Sequence, residues 1–228
     1  LENMRSVLMR LRDAGLKCKA KKCFLFQTTI EFLGHTVSKN MICTSKKLTE
    51  AIIDFPHPQN LKDVERWLGM CGFYGKFIPH LAEIVAPMTA LKRKDVKFDW
   101  TPACHKAFNE IKRILTTKPV LGMPRPVVNP ETDYFILDTD ASAIGISGIL
   151  SQMQDGVEVV LRYGSHILSQ SQRNYCTTKR ELLAVVTFCK EMKPYIWGQP
   201  VKVRTDHSSL RWLKNFKEPE GKIGRASC

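Results

Sequence analysis

The chain has 228 residues, 43% hydrophobic and 25% charged, proportions that describe a globular protein and exclude a disordered or fibrous one. That length holds one large domain or two small ones, and no apolar run approaches the roughly 18 residues of a membrane helix. The formal charge of +13 is uneven: 22 Lys/Arg against 11 Asp/Glu in residues 1–125, 13 against 11 in residues 126–228.

Residues 3–17, with Met4, Val7, Leu8 and Leu11 interleaved with arginines, fit an amphipathic helix that ends near Gly15. Lys17, Lys19, Lys21 and Lys22 follow. Cys23–Phe26 and Ile30–Val37 read as two strands of a hairpin turned at Gln27-Thr-Thr29. Residues 45–55 form a short helix, capped by Ser45 and stopped before Pro56. Asn60 caps the next, 61–75, whose stripe is Leu61, Val64, Trp67, Leu68 and Cys71. Helix resumes over 80–92. Thr101-Pro102 opens helix 102–116 with Ala107, Phe108, Ile111, Ile114 and Leu115 on one side. Taken singly, each aromatic of these helices is bundle core. Residues 122–133, with Gly122, Pro124, Pro126 and Pro130, read as a linker and the best domain boundary.

Beyond it the pattern changes to strands: 134–140, then 143–150, an Asp155-Gly156 turn, and 157–163, an antiparallel meander. A polar loop and helix 178–192 lead to a fourth strand, Val201–Thr205, and a further helix beginning at Ser208. The order is β-β-β-α-β-α. A helical crossover after a meander places the fourth strand parallel in the same sheet.

Asp138 and Asp140 stand two apart on the first strand of that sheet, hence on one face. Like charges ending a central strand call for a neutralising cation. Asp140 ends strand one, Glu181 lies in the first turn of the long helix, and Asp206 ends strand four. Three carboxylates meeting at strand ends suit Mg2+, which takes hard oxygen ligands. Each also has a plainer role: Glu181 closing a Thr178-Lys-Arg-Glu181 capping box, Asp206 capping the next helix, Asp138 solvated. The eight cysteines form no CxxC pair and the six histidines no HxxxH, so the sequence reads as an intracellular protein with reduced thiols and no zinc site. A start at Leu1 rather than Met reads as a fragment.

Three motifs in order carry a resemblance: Leu137-Asp-Thr-Asp-Ala-Ser142, the run Asn174–Val186 around Lys179-Arg-Glu181, and the run Val203–Leu213 around Thr205-Asp-His207. They resemble the ribonuclease H domain of gypsy-type LTR-retrotransposon Pol polyproteins. Gly15-Leu-Lys17 and Phe32-Leu-Gly-His35 resemble the end of a reverse transcriptase palm with its primer-grip hairpin. The run Leu68–Ile78 and Trp100-Thr101 with Ala107-Phe108 resemble the thumb and connection. The resemblance implies an α/β chain with an α+β N-terminal part: palm end over 1–44, thumb/connection helices over 45–121, linker over 122–133, and a truncated ribonuclease H-like mixed sheet over 134–228.

It further implies that Asp140, Glu181 and Asp206 are catalytic acids and ligands of two Mg2+ ions, hydrolysing the RNA strand of an RNA–DNA hybrid. Asp138 is not one of the family's core acids, and His207 is expected to pack locally or touch the hybrid. A hybrid or template-primer duplex would lie on Lys19, Lys21, Lys22, Leu33, Gly34, His35, Lys62, Arg66 and Lys76, with Lys202 and Arg204 beside the acids. Each lysine taken alone reads better as a solvated surface group. The expected setting is cytoplasmic, particle-associated or nuclear, with the polymerase portion of the polyprotein as partner and no membrane. The paired-aspartate polymerase motif, Tyr-x-Asp-Asp, is nowhere in the chain, so polymerisation by this chain alone is not expected. The family's fourth acid has no counterpart before Cys228, which predicts weakened nuclease activity. The alternatives are a catalytically dead nucleic-acid-binding remnant and a decayed fragment without function.

Overall fold

The computed structural model describes residues 2–93, 96–117, 120–206 and 210. Helix α1 (Glu2–Asp13) buries none of its side chains. Strands β1 (Thr29–Phe32), β2 (His35–Ser38) and β3 (Met41–Thr44) form an antiparallel meander. The hairpin therefore differs from the one expected. Its turn is Leu33-Gly34, with φ of 47° and 78°, and residues 23–26 are not strand. Two successive left-handed residues suit the twist of a two-residue hairpin. Phe24 and Phe26 stay exposed, because none of the described chain packs over them.

Helices α2 (Lys46–Ile53), α3 (Leu61–Phe73), α4 (Leu81–Ala90) and α5 (Pro102–Thr116) follow. Ser45, Asn60 and Thr101 cap α2, α3 and α5 through their side chains, as their sequence positions predict. Val64, Trp67 and Cys71 of α3 meet Phe108, Ile111 and Leu115 of α5 in the first core, where Trp67 and Phe108 rings lie 4.4 Å apart. Strand β4 (Val120–Gly122) was not expected; it pairs antiparallel with β3 and closes the first sheet, order β1-β2-β3-β4.

The second sheet contains β5 (Phe135–Ala141), β6 (Gly145–Gln154), β7 (Val157–Ile167) and β8 (Val201–Thr205), order β7-β6-β5-β8. Between β7 and β8 run α6 (Gln170–Arg173), α7 (Thr177–Glu191) and α8 (Lys193–Ile196). The meander is antiparallel and β8 joins β5 in parallel, as the crossover rule requires. Helix α7 covers one face: Phe188, fully buried, lies over Gly148 and Gly164, which are register partners on β6 and β7. The presumed linker is fastened to this sheet. The buried Gln152 amide accepts from Arg125 N–H and donates to Arg125 C=O, and Gln154 donates to Met123 C=O. His207 and the helix expected from Ser208 lie outside the described residues.

Candidate metal centre and nucleic-acid interface

Parallel pairing of β5 with β8 sets Thr139 opposite Thr205. Asp140 and Asp206 are each the next residue, so they stand side by side at adjacent strand ends, one inter-strand spacing apart. Glu181 arrives from α7. The helix begins at Thr177 after Cys176, whose side chain makes no cap bond, so Glu181 falls in the second turn rather than the first. The capping-box reading of Glu181 is thereby corrected: with Cys176 at the N-cap, Glu181 lies two residues beyond the position that can bond back. The three side chains offer carboxylate oxygens within 4.8 Å of one another.

Asp140 and Asp206 are exposed and Glu181 is buried. Burial, then the negative charges of Asp206 and Asp140, push the Glu181 carboxyl up to about 7, against the pull of the Ala141 N–H and Arg180. Its Oε2 has no hydrogen-bond partner among the described residues. With one buried carboxylate oxygen left unmatched beside two other carboxylates, the three acids form a group that could hold a cation. Arg180 also donates to Ser142 C=O at 2.8 Å, tying the first turns of α7 to the end of β5. Sequence reasoning passed over Arg180; its place next to Glu181 was the available signal.

Asp138 shares a face with Asp140, as alternation requires, but it is already neutralised. Arg204, its register partner on β8, grips it through two hydrogen bonds of 2.5 and 2.6 Å and reaches Glu158 at 2.7 Å. The guanidinium that was expected to receive phosphates is thus engaged in an acidic pair of its own. Lys202 lies with Nζ 3.5 Å from the centre of the Tyr134 ring.

The remaining interface candidates divide into exposed and engaged groups. Lys19, Lys21, Leu33 and Lys62 are exposed, and the Lys22 side chain lies outside the described residues. Arg66 is exposed, 3.8 Å from Asp63 and over the Phe55 ring. Gly34 packs where a β-carbon would collide with the Tyr74 hydroxyl. The His35 ring is held among Phe73, Tyr74 and Phe77, and burial and then Lys76 hold its pKa below the usual value. Lys76 is likewise depressed, by burial and then by Arg162. His35 and Lys76 are therefore parts of a packed junction as much as of an open face. Among the described residues no helix is long and apolar enough to cross a membrane.

A mixed β-β-β-α-β sheet with three acids at the ends of parallel neighbours and a covering helix defines a ribonuclease H-like fold. Residues 131–228 match the family described as the RNase H-like domain found in reverse transcriptase. Over 99% of its length the chain is 33% identical to the Retrovirus-related Pol polyprotein from transposon 297 of Drosophila melanogaster. It is 29% identical, over 97% of its length, to the Transposon Tf2-3 polyprotein of Schizosaccharomyces pombe. Residues 131–228 thus carry an RNase H-like domain, and over nearly its whole length the chain is similar to the Pol polyproteins of gypsy-type retrotransposons. It spans about a fifth of the length of the curated relatives it matches. In fold it is similar to the foamy viral protease-reverse transcriptase solved with RNA/DNA hybrid, with a TM-score of 0.77 at 20% identity, covering 99% of this chain and 31% of that one. A structure of the same viral protein with double-stranded DNA gives 0.73 at 20% identity, covering 95% of this chain and 38% of that one.

Proposed function

We propose that the C-terminal domain is a ribonuclease H module that hydrolyses the RNA strand of an RNA–DNA hybrid, with Asp140, Glu181 and Asp206 as the acids that hold Mg2+. The observation that carries this reading is the meeting of three carboxylates from three separate segments, one of them buried with an unmatched oxygen. The donor set suits a hard divalent ion that keeps part of its shell for substrate, since Asp140 and Asp206 remain open to solvent. When bound, such ions activate a water and stabilise the leaving oxygen of a phosphodiester.

The chain's own residues do the positioning. Ala141 N–H fixes the Glu181 carboxylate, Arg180 anchors α7 to β5, and Arg204 removes the Asp138 charge from the cleft. The exposed basic groups of the N-terminal part, Lys19, Lys21, Lys62 and Arg66, together with Lys22, give this module sequence-independent affinity for a duplex. The hybrid in the similar viral complex agrees with that role. The test is cleavage of an end-labelled RNA–DNA hybrid in Mg2+ by the full chain. Cleavage is expected, and Asp140→Asn and Glu181→Gln should each abolish it. Cleavage no higher than that of the double variant overturns the reading; salt-sensitive hybrid binding without cleavage would instead mark a binding remnant.

A further inference from the structure

The acidic cleft is not made by the C-terminal domain alone. Asp138, Asp140, Asp206 and Arg204 line it together with His80, which precedes α4 and belongs to the N-terminal part of the chain. We infer that His80 is a substrate-binding residue of this cleft, donating an imidazole N–H to a phosphate of the strand that enters it. The inference rests on the hybrid-nuclease reading above and adds to it a residue from outside the three acids.

Three observations support it. First, His80 is fixed. Ile78 before it is fully buried, and Ala82 after it donates its N–H to Ser165 Oγ of β7 at 2.9 Å. The segment between them has little slack, and His80 sits at φ 50°, ψ 31°, a left-handed conformation uncommon for residues other than glycine, though histidine, asparagine and aspartate adopt it more readily than most. Second, the ring is unspent. It does not cap α4, and among the described residues no hydrogen bond or ion pair engages it. Third, among the described residues that line the cleft, no other imidazole or unengaged cation is available as a donor. Arg204, the cation beside the acids, is bound to Asp138 and Glu158. A phosphodiester approaching these carboxylates is favoured by an N–H donor in the same cleft, and His80, which lines it, offers one. Docking of α4 on β6 and β7 therefore completes the cleft as well as joining the two parts of the chain.

The left-handed backbone supplies its own controls. Glycine, asparagine and aspartate all tolerate this conformation, so His80→Gly, His80→Asn and His80→Asp should keep the melting temperature of the full chain. They differ in what they offer a phosphate: nothing, an amide N–H donor, and a repelling charge. Steady-state cleavage of the labelled hybrid in Mg2+ should show KM raised about three- to tenfold in His80→Gly, as for one lost hydrogen bond. The rise should be smaller in His80→Asn and largest in His80→Asp, with kcat little changed. Hybrid affinity by fluorescence anisotropy in chelator should follow the same order. Equal KM and equal affinity in all three variants overturn the inference while leaving the nuclease reading intact. If the unsubstituted chain binds but does not cleave, the affinity order alone decides, a graded order supporting the role of His80 and a flat one ending it. Absence of hybrid binding by the unsubstituted chain overturns both.

Discussion

Glu181 shows how one residue couples fold and chemistry. Its carboxyl titrates near 7 in the folded chain instead of about 4.5, so between those values the folded state holds a proton that the unfolded state has released. The stability this group contributes is therefore complete below its unfolded value and is lost as pH rises through about 7. In chelator, stability should fall over that window, by on the order of 2 kcal/mol at neutral pH, and the melting temperature should fall with it. Glu181→Gln should flatten the profile, and Mg2+ should raise the melting temperature at alkaline pH in the unsubstituted chain but not in this variant. A pH profile unchanged by the substitution would contradict the burial argument. Arg204 makes the complementary case. Removing it leaves Asp138 and Glu158 facing each other, so Arg204→Ala should cost about 1–2 kcal/mol in urea unfolding, discounted for its exposure, and Arg204→Lys should recover little because a lysine lacks the planar fork. Asp140, Glu181 and Asp206 were legible in the sequence as a candidate group because two end strands and the third lies early in a helix of recognisable period. The partner of Asp138 was not, since Arg204 meets it only through a parallel register that closes 66 positions away.

At the scale of elements, α7 is the part that must not shift, because it carries Glu181 to the strand ends. Its grip is Phe188 lying over paired glycines: a β-carbon at Gly148 would come 2.5 Å from the ring and one at Gly164 2.6 Å. Phe188→Ala should cost about 3–5 kcal/mol by opening a cavity, and Gly148→Ala about 1–3 kcal/mol by overpacking. Both should lower Mg2+ affinity measured by calorimetry more than an equally destabilising substitution in α5, since α7, unlike α5, carries one of the proposed ligands. The ring that fills the space over these glycines was not legible in the sequence, because a phenylalanine inside an amphipathic helix names no partner. The first hairpin was misplaced for the opposite reason. Phe24 and Phe26 give a strand-like apolar run, but a strand forms where something covers its face, and both remain 77% exposed. Strand β4 escaped notice because three residues before a proline-rich run are too short to show alternation, and its partner β3 lies far upstream.

Over the whole molecule the two sheets behave as one structure, because β7 serves both. Its Gly164 faces α7, while Ser165 on the other side accepts from Ala82 N–H of α4 and Tyr163 and Ile167 pack against the N-terminal core. Gly122 of β4 lies so close to Val159 of β7 that a β-carbon there would collide with it. The buried Gln152 and Gln154 amides fasten the segment after β4 to the edge of β6. A joint made of apolar packing plus fully paired buried amides transmits unfolding from one part to the other, since opening it would leave the Gln152 NH2 group without its acceptor and its oxygen with only Gln154. In a chain carrying Trp197→Phe and Trp212→Phe, so that Trp67 and Trp100 report only the N-terminal part, melting should therefore remain a single transition, with ellipticity and tryptophan fluorescence coincident. Gln152→Leu removes both amide bonds to Arg125 and leaves that backbone unpaired, and should cost about 1–3 kcal/mol. Gly122→Val wedges β4 away from β7. Together the two substitutions should separate the probes into two transitions, the tryptophan signal moving apart from total ellipticity. A double variant that still melts as one unit would mean that α4 alone couples the sheets, and Ser165→Ala would then be the change that splits them.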